Sequence, residues 1–292
     1  MDVLFHTREF NRNYHKGQYL LAGFRISPLP YFLIQAKLVG MNLDSEIKVG
    51  ASADAPVDVK EDKELEEMFR AGVHFAYSRS RRHPKMSPFI YGIKSNVEIF
   101  DLENVRVSLR KAEDFLKNLG ESKKPVLWVG TKPSVRNFIS GFSKELSHPF
   151  ITERWLGGIL TNAKVIKERL RYFEDLKAKQ ASGELEKYTK REKLEILREI
   201  QDLSRYLSGL ENIKNEIFAI VIVDPKEEKT AFLEALKVKL PVVAILSSDN
   251  DLTKVAYPIP ANDSSPSSVG YLLERLARAW KEGSTLANNK TA

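Results

Sequence analysis

Basic side chains are concentrated in one short loop, and their chemistry suits contact with phosphate. Four of them lie within the seven residues Arg79–Lys85, where Pro84 interrupts regular structure. A guanidinium group can bridge two oxygens, so Arg side chains fanned from a loop favour phosphate contacts. A charge run is also typical of a solvated face. The loop therefore predicts either a phosphate-binding surface or an ordinary polar one.

A second candidate is the stretch Arg154–Asn162, which separates strand-like segments from a long helical pattern. Arg154 supplies a planar cation and Trp155 a stacking face, and two glycines follow that allow close approach of a bulky partner. Thr161 and Asn162 can cap the helix that comes next. The alternative is a tight turn whose Trp lies in the core.

A third candidate is the turn Gly130-Thr131-Lys132, which follows an apolar strand and opens a helix. A Walker loop requires GxxxxGK[ST] and a dinucleotide site requires GxGxxG, and this turn matches neither. We favour a structural turn that leaves Lys132 and Arg136 available to an external phosphate. An enzyme or nucleotide-binding protein that uses this turn with Asp224 is the alternative, since the fold allows it.

Polar side chains are also expected at the carboxyl edge of the predicted sheet, where such sheets bind ligands. They are Asp224, Ser247, Ser248, Asp249 and Asp251. They could hold a metal, act as acid and base, or cap loops. The chain has no Cys, which excludes disulfides and thiolate sites, and its five histidines show no metal-ligand spacing. We predict His74 to be a hydrogen-bonded structural residue, and we predict no cofactor, no metal and no catalytic activity.

Composition favours a polyanionic partner. Among 292 residues, 46 Lys and Arg oppose 39 Asp and Glu, so the formal net charge is +7. No uninterrupted apolar run approaches the roughly 20 residues of a membrane span, so no membrane partner is expected.

Strand-like and helix-like segments alternate, which predicts an α/β fold with a parallel sheet between two helical layers. The predicted strands are 89–93 and 97–102, joined as a hairpin by Lys94-Ser95-Asn96, then 125–130, 217–224, 241–246 and 256–259. The predicted helices are 61–72, 104–119, 227–239 and 267–280.

A helical hairpin is predicted over residues 163–214. Its first apolar stripe is Ile166, Leu170, Phe173 and Leu176, and its second is Leu194, Leu197, Ile200, Leu203, Leu207 and Leu210. Ser182-Gly183 breaks the helix, and Thr189 with Glu192 forms a capping box that restarts it. We assign the stripes to internal packing; a module that binds a partner through the hairpin is a further alternative.

The stretch Arg154–Asn162 resembles the RWLGG-x-LTN signature of the bacterial-type small-subunit ribosomal protein S-two family. Other motifs of that family follow in order: Ala71–Phe75, His83–Ile90, Leu127–Lys132, Val223–Pro225, Pro241–Ile245 and Tyr257–Asp263. The resemblance runs from about Glu61 to about Glu282. We therefore expect an α/β domain over 61–284, a flexible tail over 285–292, and an extension and linker over 1–60, with Met41 as the biological start.

The resemblance implies a flavodoxin-like, doubly wound parallel sheet with an inserted α-helical coiled-coil hairpin. It also implies a structural role in the small ribosomal subunit, with contacts to rRNA, late entry into assembly, and docking of ribosomal protein S-one. No small-molecule substrate is implied. The expected location is the cytoplasmic ribosome, or the ribosome of an organelle.

Eleven residues are predicted to contact rRNA. Phosphate contacts of this kind recognise the shape of the folded RNA, and the binding is expected to weaken as the salt concentration rises. Arg79, Arg81, Arg82 and Lys85 are predicted phosphate clamps; Lys94, Lys132 and Arg136 further electrostatic contacts; Arg154 and Trp155 residues that hold the signature against RNA; Asn162 and Lys164 a continuation of that surface.

Two departures from the family pattern stand out. The family commonly has GVHFGH where this chain ends in Ala76-Tyr77, so the roles of the missing Gly and His are in doubt. The usual TN-x-DP loop is replaced by Ser247–Asp251, and Gly-Asn-Asp by Ala261-Asn262-Asp263. These changes lie where a ligand would bind, and they make a small-molecule role less plausible.

Overall fold

The computed structural model describes residues 20–21, 24–25, 59–211 and 216–291. The chain divides into two units, Met1–Glu66 and Glu67–Ala292. In the first unit, β1 (Leu20–Leu21) pairs antiparallel with β2 (Phe24–Arg25). Helix α1 (Val59–Arg70) crosses the boundary and begins inside the predicted linker. The predicted start at Met41 lies outside the described residues.

A three-stranded antiparallel sheet opens the second unit. Its strands are β3 (Phe75–Ser78), β4 (Ile90–Lys94) and β5 (Val97–Phe100), with β5 in the centre. Ser95 and Asn96 both have positive φ, 48° and 65°, as in a two-residue type I′ turn. The predicted hairpin is confirmed.

The main sheet has five parallel strands. They are β6 (Val126–Val129), β7 (Phe150–Ile151), β8 (Ala219–Val223), β9 (Val242–Leu246) and β10 (Tyr257–Pro260). Every residue of β6, β8 and β9 is buried, because apolar strands of a parallel sheet are covered on both faces. The order β7-β6-β8-β9-β10 is 2-1-3-4-5 along this part of the chain, which is flavodoxin-like. The order reverses between β6 and β8.

Helices cover both faces of this sheet, as predicted. They are α2 (Leu102–Glu121), α3 (Pro133–Leu146), α4 (Ala163–Ala181), α5 (Lys190–Leu207), α6 (Lys229–Lys237) and α7 (Pro266–Thr291). Leu127 and Ile220 share a buried apolar cluster with residues of α4, α5 and α6. Trp128 points to the opposite face, where its indole donates to His148 Nδ1 (3.0 Å), and His148 packs edge-on against Trp280 of α7 at 4.3 Å between ring centres.

Helix α7 continues from Trp280 to Thr291, so most of the segment predicted as a tail is helical. Glycines allow α2 and α7 to touch backbone to backbone. A Cβ added at Gly120 would lie 2.1 Å from the carbonyl oxygen of Trp280, and one at Gly283 would lie 2.0 Å from that of Lys117. This close contact packs α7 against α2 just beyond Trp280, where the predicted helix ended.

Helices α4 and α5, which we call the helical pair, lie where the sequence predicts a helical hairpin. They are joined through Gly183, which has φ +77°, a short 3-10 turn (Glu184–Lys187) and the capping box of Thr189 and Glu192. The first apolar stripe is buried as predicted. In the second stripe Leu194 is 53% exposed, whereas Ile196 packs against the core. Ile196 precedes Ile200 by one i,i+4 step and therefore shares its face, which Leu194 does not.

Within the described ranges, every helix is too short or too polar to cross a bilayer.

Candidate nucleic-acid interface

The basic loop leaves β3 as a short 3-10 helix (Arg79–Arg81) and presents three cations to solvent. Arg79, Arg81 and Lys85 are exposed. The Arg81 guanidinium lies 5.4 Å from the ring centre of Tyr77, so an aromatic face supports it without neutralising it. These three positions offer the charge that the sequence predicts for phosphate contact.

The loop is held against the carboxyl edge of the parallel sheet by the turn after β9. Ser248 Oγ accepts from the backbone N–H of Tyr77 (3.1 Å), and the Ser248 carbonyl accepts from that of His83 (2.8 Å). The Tyr77 hydroxyl lies 2.9 Å from Ser264 Oγ, in the turn that follows β10. Two turns of the sheet therefore position the loop.

Arg82 differs from its neighbours, because it is committed to an internal ion pair. Its Nη1 lies 3.1 Å from Oε1 of Glu98, whose side chain is fully buried in β5. Burial raises the pKa of Glu98, while the charges of Arg82 and Arg79 act in the opposite direction. This ion pair argues against the predicted role of Arg82 as a phosphate clamp, because the buried carboxylate would lose its ionic partner if Arg82 turned outward.

Lys132 is likewise held in internal ion pairs. It lies at the edge of the main sheet where the strand order reverses. Its Nζ lies 2.6 Å from Asp224 Oδ2 and 3.2 Å from Asp263 Oδ2, and we call these three residues the edge network. Burial would lower the pKa of Lys132, but both carboxylates outweigh it and hold the pKa above its usual value. Burial would raise the pKa of Asp224, and Lys132 holds it below its usual value. These internal ion pairs argue against the prediction that Lys132 contacts an external phosphate.

The hydrogen-bond donors of the turn before Lys132 also have an acceptor within the protein. Glu228 Oε1 accepts from both the backbone N–H (2.8 Å) and the hydroxyl (2.6 Å) of Thr131. Gly130 is needed for packing, since a Cβ there would lie 2.7 Å from Ile139 Cδ1. The donors that would cradle a nucleotide phosphate in this turn already have an acceptor, which argues against the nucleotide alternative.

Arg136 braces the same turn. Its Nε donates to the Thr131 carbonyl (2.8 Å) and its Nη1 lies 3.1 Å from Glu153, with the side chain 36% exposed. Arg136 therefore contributes mainly to the turn, and only part of its side chain faces solvent.

One carboxylate, which sequence reasoning missed, organises the stretch Arg154–Asn162. Glu234 of α6 accepts hydrogen bonds from the Trp155 indole (3.1 Å) and from the backbone N–H of Gly158 (2.8 Å). It also accepts from the backbone N–H groups of Leu160 (3.2 Å) and Thr161 (3.3 Å) and from the Thr161 hydroxyl (3.2 Å). Burial would raise the pKa of Glu234, but these donors hold it below its usual value. In the sequence, Glu234 looks like any polar residue of a surface helix.

This arrangement corrects two predictions. Trp155 is only 8% exposed and belongs to the core cluster, so its ring does not present a stacking face to RNA. Asn162 occupies the N-cap position of α4 without a side-chain capping bond, and the Thr161 hydroxyl is engaged by Glu234. Gly158 has φ +96°, which a side chain would strain.

Four predicted contacts remain exposed outside the basic loop. Arg154, Asn162 and Lys164 are exposed on and after the signature stretch, and Lys94 is exposed at the end of β4. Among the predicted residues the structure therefore separates solvent-facing cations from Arg82, Lys132 and Trp155, which stabilise the fold.

The remaining polar candidates are structural. His74 is stacked on Phe69 at 4.5 Å between ring centres, and burial, aided by Lys94, lowers its pKa to about 4. Within the described residues its Nδ1 has no hydrogen-bond partner, whereas its backbone carbonyl accepts from the N–H of Phe100 (2.8 Å). Asp249 pairs with Lys226 (2.7 Å), and Asp251 accepts from the backbone N–H of Thr253 (3.0 Å). In the described part of the chain no three His, Asp or Glu side chains converge as metal ligands.

Comparison with known sequences decides the family. A sequence model described as Ribosomal protein S2 matches residues 68–283. The chain belongs to the ribosomal protein S2 family. This is a family of structural ribosomal proteins, not of enzymes. The Mesostigma viride small ribosomal subunit protein uS2c is 37% identical over 219 residues, which cover 75% of this chain and 96% of that protein.

Bacterial relatives match a similar span. The small ribosomal subunit protein uS2 of Mesoplasma florum is 34% identical over 221 residues, covering 76% of this chain and 83% of the relative. That of Thermus thermophilus is 36% identical over 211 residues, covering 72% and 82%.

Two of the positions that depart from the family pattern, Tyr77 and Ser248, are in contact. The backbone N–H of Tyr77 donates to Ser248 Oγ (3.1 Å), and the Tyr77 hydroxyl lies 3.4 Å from Asp263 Oδ1. Tyr77 therefore joins the basic loop both to the turn after β9 and to the edge network.

Proposed function

We propose that this protein is a structural constituent of the small ribosomal subunit that binds small-subunit rRNA. Membership of the S2 family over residues 68–283 carries the proposal. The exposed cations Arg79, Arg81 and Lys85, held by the turn that contains Ser248, supply a phosphate-binding surface. This surface is extended by Arg154, Lys94, Asn162 and Lys164. The fold that carries it is stabilised by Arg82, Lys132 and Trp155.

The finer parts of the proposal follow from the family. The pair α4 and α5 acts as a coiled-coil hairpin inserted over 163–214 into the α/β domain 61–284. The protein joins the subunit late in assembly and helps to dock ribosomal protein S-one. It works on a cytoplasmic or organellar ribosome, without a cofactor or small-molecule substrate.

Sucrose-gradient sedimentation of cell extracts tests this proposal. The full-length protein is expected to sediment with small subunits at both high and low magnesium. A variant with Arg79→Gln, Arg81→Gln and Lys85→Gln is expected to move to the top of the gradient, since phosphate contacts supply much of such binding. The matched control replaces three other exposed cations, Lys187, Lys190 and Arg198, with Gln and is expected to sediment like the parent.

Two outcomes would overturn the proposal. The parent protein would stay at the top of the gradient in both magnesium conditions. Alternatively, the loop variant would sediment with the subunit as completely as the control.

A further inference from the structure

A groove at the amino-terminal edge of the main sheet has no part in the function described so far. It has a volume of about 460 Å³ and is lined by Val242 and Tyr257, the first residues of β9 and β10. The other large apolar side chains that line it are those of Leu236, Leu240, Pro241 and Val255. We call it the strand-entry groove.

Two lysines give this groove a positive rim. Lys239 and Lys254 line it, and both are exposed. In the described part of the chain no Asp or Glu is among its lining residues, and the segments 235–248 and 252–262, which supply the lining, contain neither. The groove therefore combines an apolar lining with positive charge.

Lys239 occupies a backbone position that commonly holds glycine. Its N–H donates to the Leu236 carbonyl (3.1 Å) and that of Leu240 to the Ala235 carbonyl (2.9 Å), so α6 ends in a Schellman motif. Lys239 has φ 58° in this motif, a left-handed conformation that a side chain makes less favourable. The helix dipole does not explain a lysine here, since Lys237 already supplies a cation in the last turn without this strain. The Lys239 side chain is better explained by a contact outside the fold.

We propose that the strand-entry groove binds a short acidic segment of a partner protein. The segment places an apolar side chain in the groove and its carboxylates beside Lys239 and Lys254, so that shape and charge are both complementary. A volume of about 460 Å³ lies within the range of pockets that enclose small ligands, and it accommodates one or two large side chains. The inference goes beyond the proposed function, because it concerns a protein partner and uses none of the residues assigned to RNA.

The position and lining of the groove separate it from the RNA-binding surface. The basic loop is held by the turns that follow β9 and β10, whereas the groove lies at the other end of these strands. Its lining is aliphatic apart from Tyr257, whose ring is stacked on Phe115 at 4.2 Å between ring centres. The groove therefore offers an RNA base little aromatic surface, and a protein segment fits it better.

Two other kinds of protein contact fit less well. Strand β10 is at the edge of the sheet, but Pro258 and Pro260 lack the N–H groups that a strand added to this edge would need. A second copy of the chain carries the same net charge of +7, which opposes self-association through a positive rim. An acidic segment meets neither obstacle.

Fluorescence anisotropy with the full-length protein tests the proposal. The probes are labelled peptides in which Asp and Glu flank one central Leu, Phe, Met or Trp. One control peptide has Ser at the centre, and another has Gln in place of every acidic residue. We expect the best of the apolar acidic peptides to bind at least roughly tenfold more tightly than either control.

Two variants separate the contribution of charge from that of shape. Lys239→Gln with Lys254→Gln removes the positive rim, and Ala256→Arg fills the groove while it keeps the positive charge. Each is expected to weaken peptide binding at least roughly fivefold. The matched control, Lys187→Gln with Lys190→Gln at exposed positions, is expected to keep the parent Kd. Circular dichroism verifies that all variants are folded.

A third variant, Lys239→Gly, separates binding from stability. Glycine relieves the left-handed conformation, so the urea midpoint of unfolding should rise while the Kd for the peptide increases by roughly threefold or more. If the midpoint rises and the Kd does not change, Lys239 is merely structural and the inference is overturned.

Four further results would overturn the inference. No peptide of the set would bind, or the peptide with a central Ser would bind as tightly as the apolar ones, which would leave only general charge attraction. Ala256→Arg would keep the parent Kd, or a labelled oligouridine would bind with the same losses in both variants, which would assign the groove to RNA. None of these results affects the ribosomal proposal, because that proposal depends on sedimentation with the subunit and on the basic loop.

Discussion

The edge network and the basic loop contain the same types of cationic side chain in opposite situations. Lys132 lies between Asp224 and Asp263 at 2.6 Å and 3.2 Å, and its charge is balanced inside the fold. Arg79, Arg81 and Lys85 of the basic loop face solvent. A partly buried cation needs a partner because water solvates it incompletely, whereas an exposed cation stays available to an external anion. The comparison separates residues that stabilise the fold from residues whose charge is available to an external anion.

Removing the cation of the edge network, Lys132, should have the largest effect. Lys132→Met leaves Asp224 beside the fully buried Asp263 without their shared partner, and we expect a loss of about 3–5 kcal/mol in the free energy of unfolding. Urea unfolding measures it. A second change, Asp263→Asn, should recover part of the loss, and Lys144→Met on the exposed face of α3 serves as the control. Equal stability of Lys132→Met and the control would contradict the buried-pair interpretation.

Glu234→Gln should weaken the support of the signature stretch by about 2–3 kcal/mol. An amide keeps one acceptor but turns its NH₂ group toward the N–H donors of one side, either that of Gly158 at Oε1 or that of Leu160 at Oε2, which now find a carboxylate oxygen. Thermal and urea unfolding would detect the loss, and Trp155 fluorescence would report a local change. Glu227→Gln, at an exposed position just before α6, is the control. A signature stretch unaffected by the change would show that Glu234 does not organise it.

Acid should reduce stability through histidines of the interior. Burial lowers the pKa of His148 to about 4, and the indole N–H already points at its Nδ1. Between the usual value of about 6.5 and the folded value, the unfolded chain binds a proton that the folded chain does not, so stability is complete above this window and falls with pH inside it. We expect His148 to account for about 2 kcal/mol of lost stability between pH 7 and pH 5.

The measurement is urea unfolding at both pH values, for the parent and for His148→Gln. The variant should lose less stability between pH 7 and pH 5 than the parent. Identical losses would show that His148 is not the group that titrates. His74, also buried with a pKa of about 4, should contribute in the same direction and explain any remaining slope.

The smallest effect on folding should come from the exposed cations. Replacing Arg79, Arg81 and Lys85 with Gln should change stability by no more than about 0.5 kcal/mol, since surface charges contribute little. The same change should lower RNA affinity and its salt dependence. Unfolding and filter-binding experiments on one preparation separate the two quantities. A loss of stability as large as that of Lys132→Met would remove the distinction between the two regions.

Several features could be predicted from sequence because they depend on local chemistry. Apolar runs predicted β6, β8 and β9, and the pair Ser95-Asn96 predicted a turn that requires positive φ. The capping box at Thr189 also depends on residues close in the chain. The exposed Leu194 was misassigned because a three- or four-residue spacing fits more than one helical face until the partner helix is known.

It was harder to predict which cations of the candidate interface are available, because their pairing depends on acidic residues from other parts of the chain. Glu234 contacts the signature from about eighty positions downstream, and Glu98 and Asp263 engage cations in the same way from other elements. Nothing near Arg82 or Lys132 distinguishes them from Arg81 or Lys85. Free and paired cations are the same residue types. They differ only in whether the fold places an acidic side chain beside them.

The sequence by itself determined the family, the alternation of strands and helices, and the places where positive charge is concentrated, since these depend on residue type and short-range spacing. Only the tertiary structure decided which charges are available. The parallel sheet brings the ends of β6, β8 and β10 together, and there Asp224 and Asp263 neutralise Lys132. The partners of these ion pairs are distant in the chain and meet only in the folded sheet, so no local pattern could reveal them.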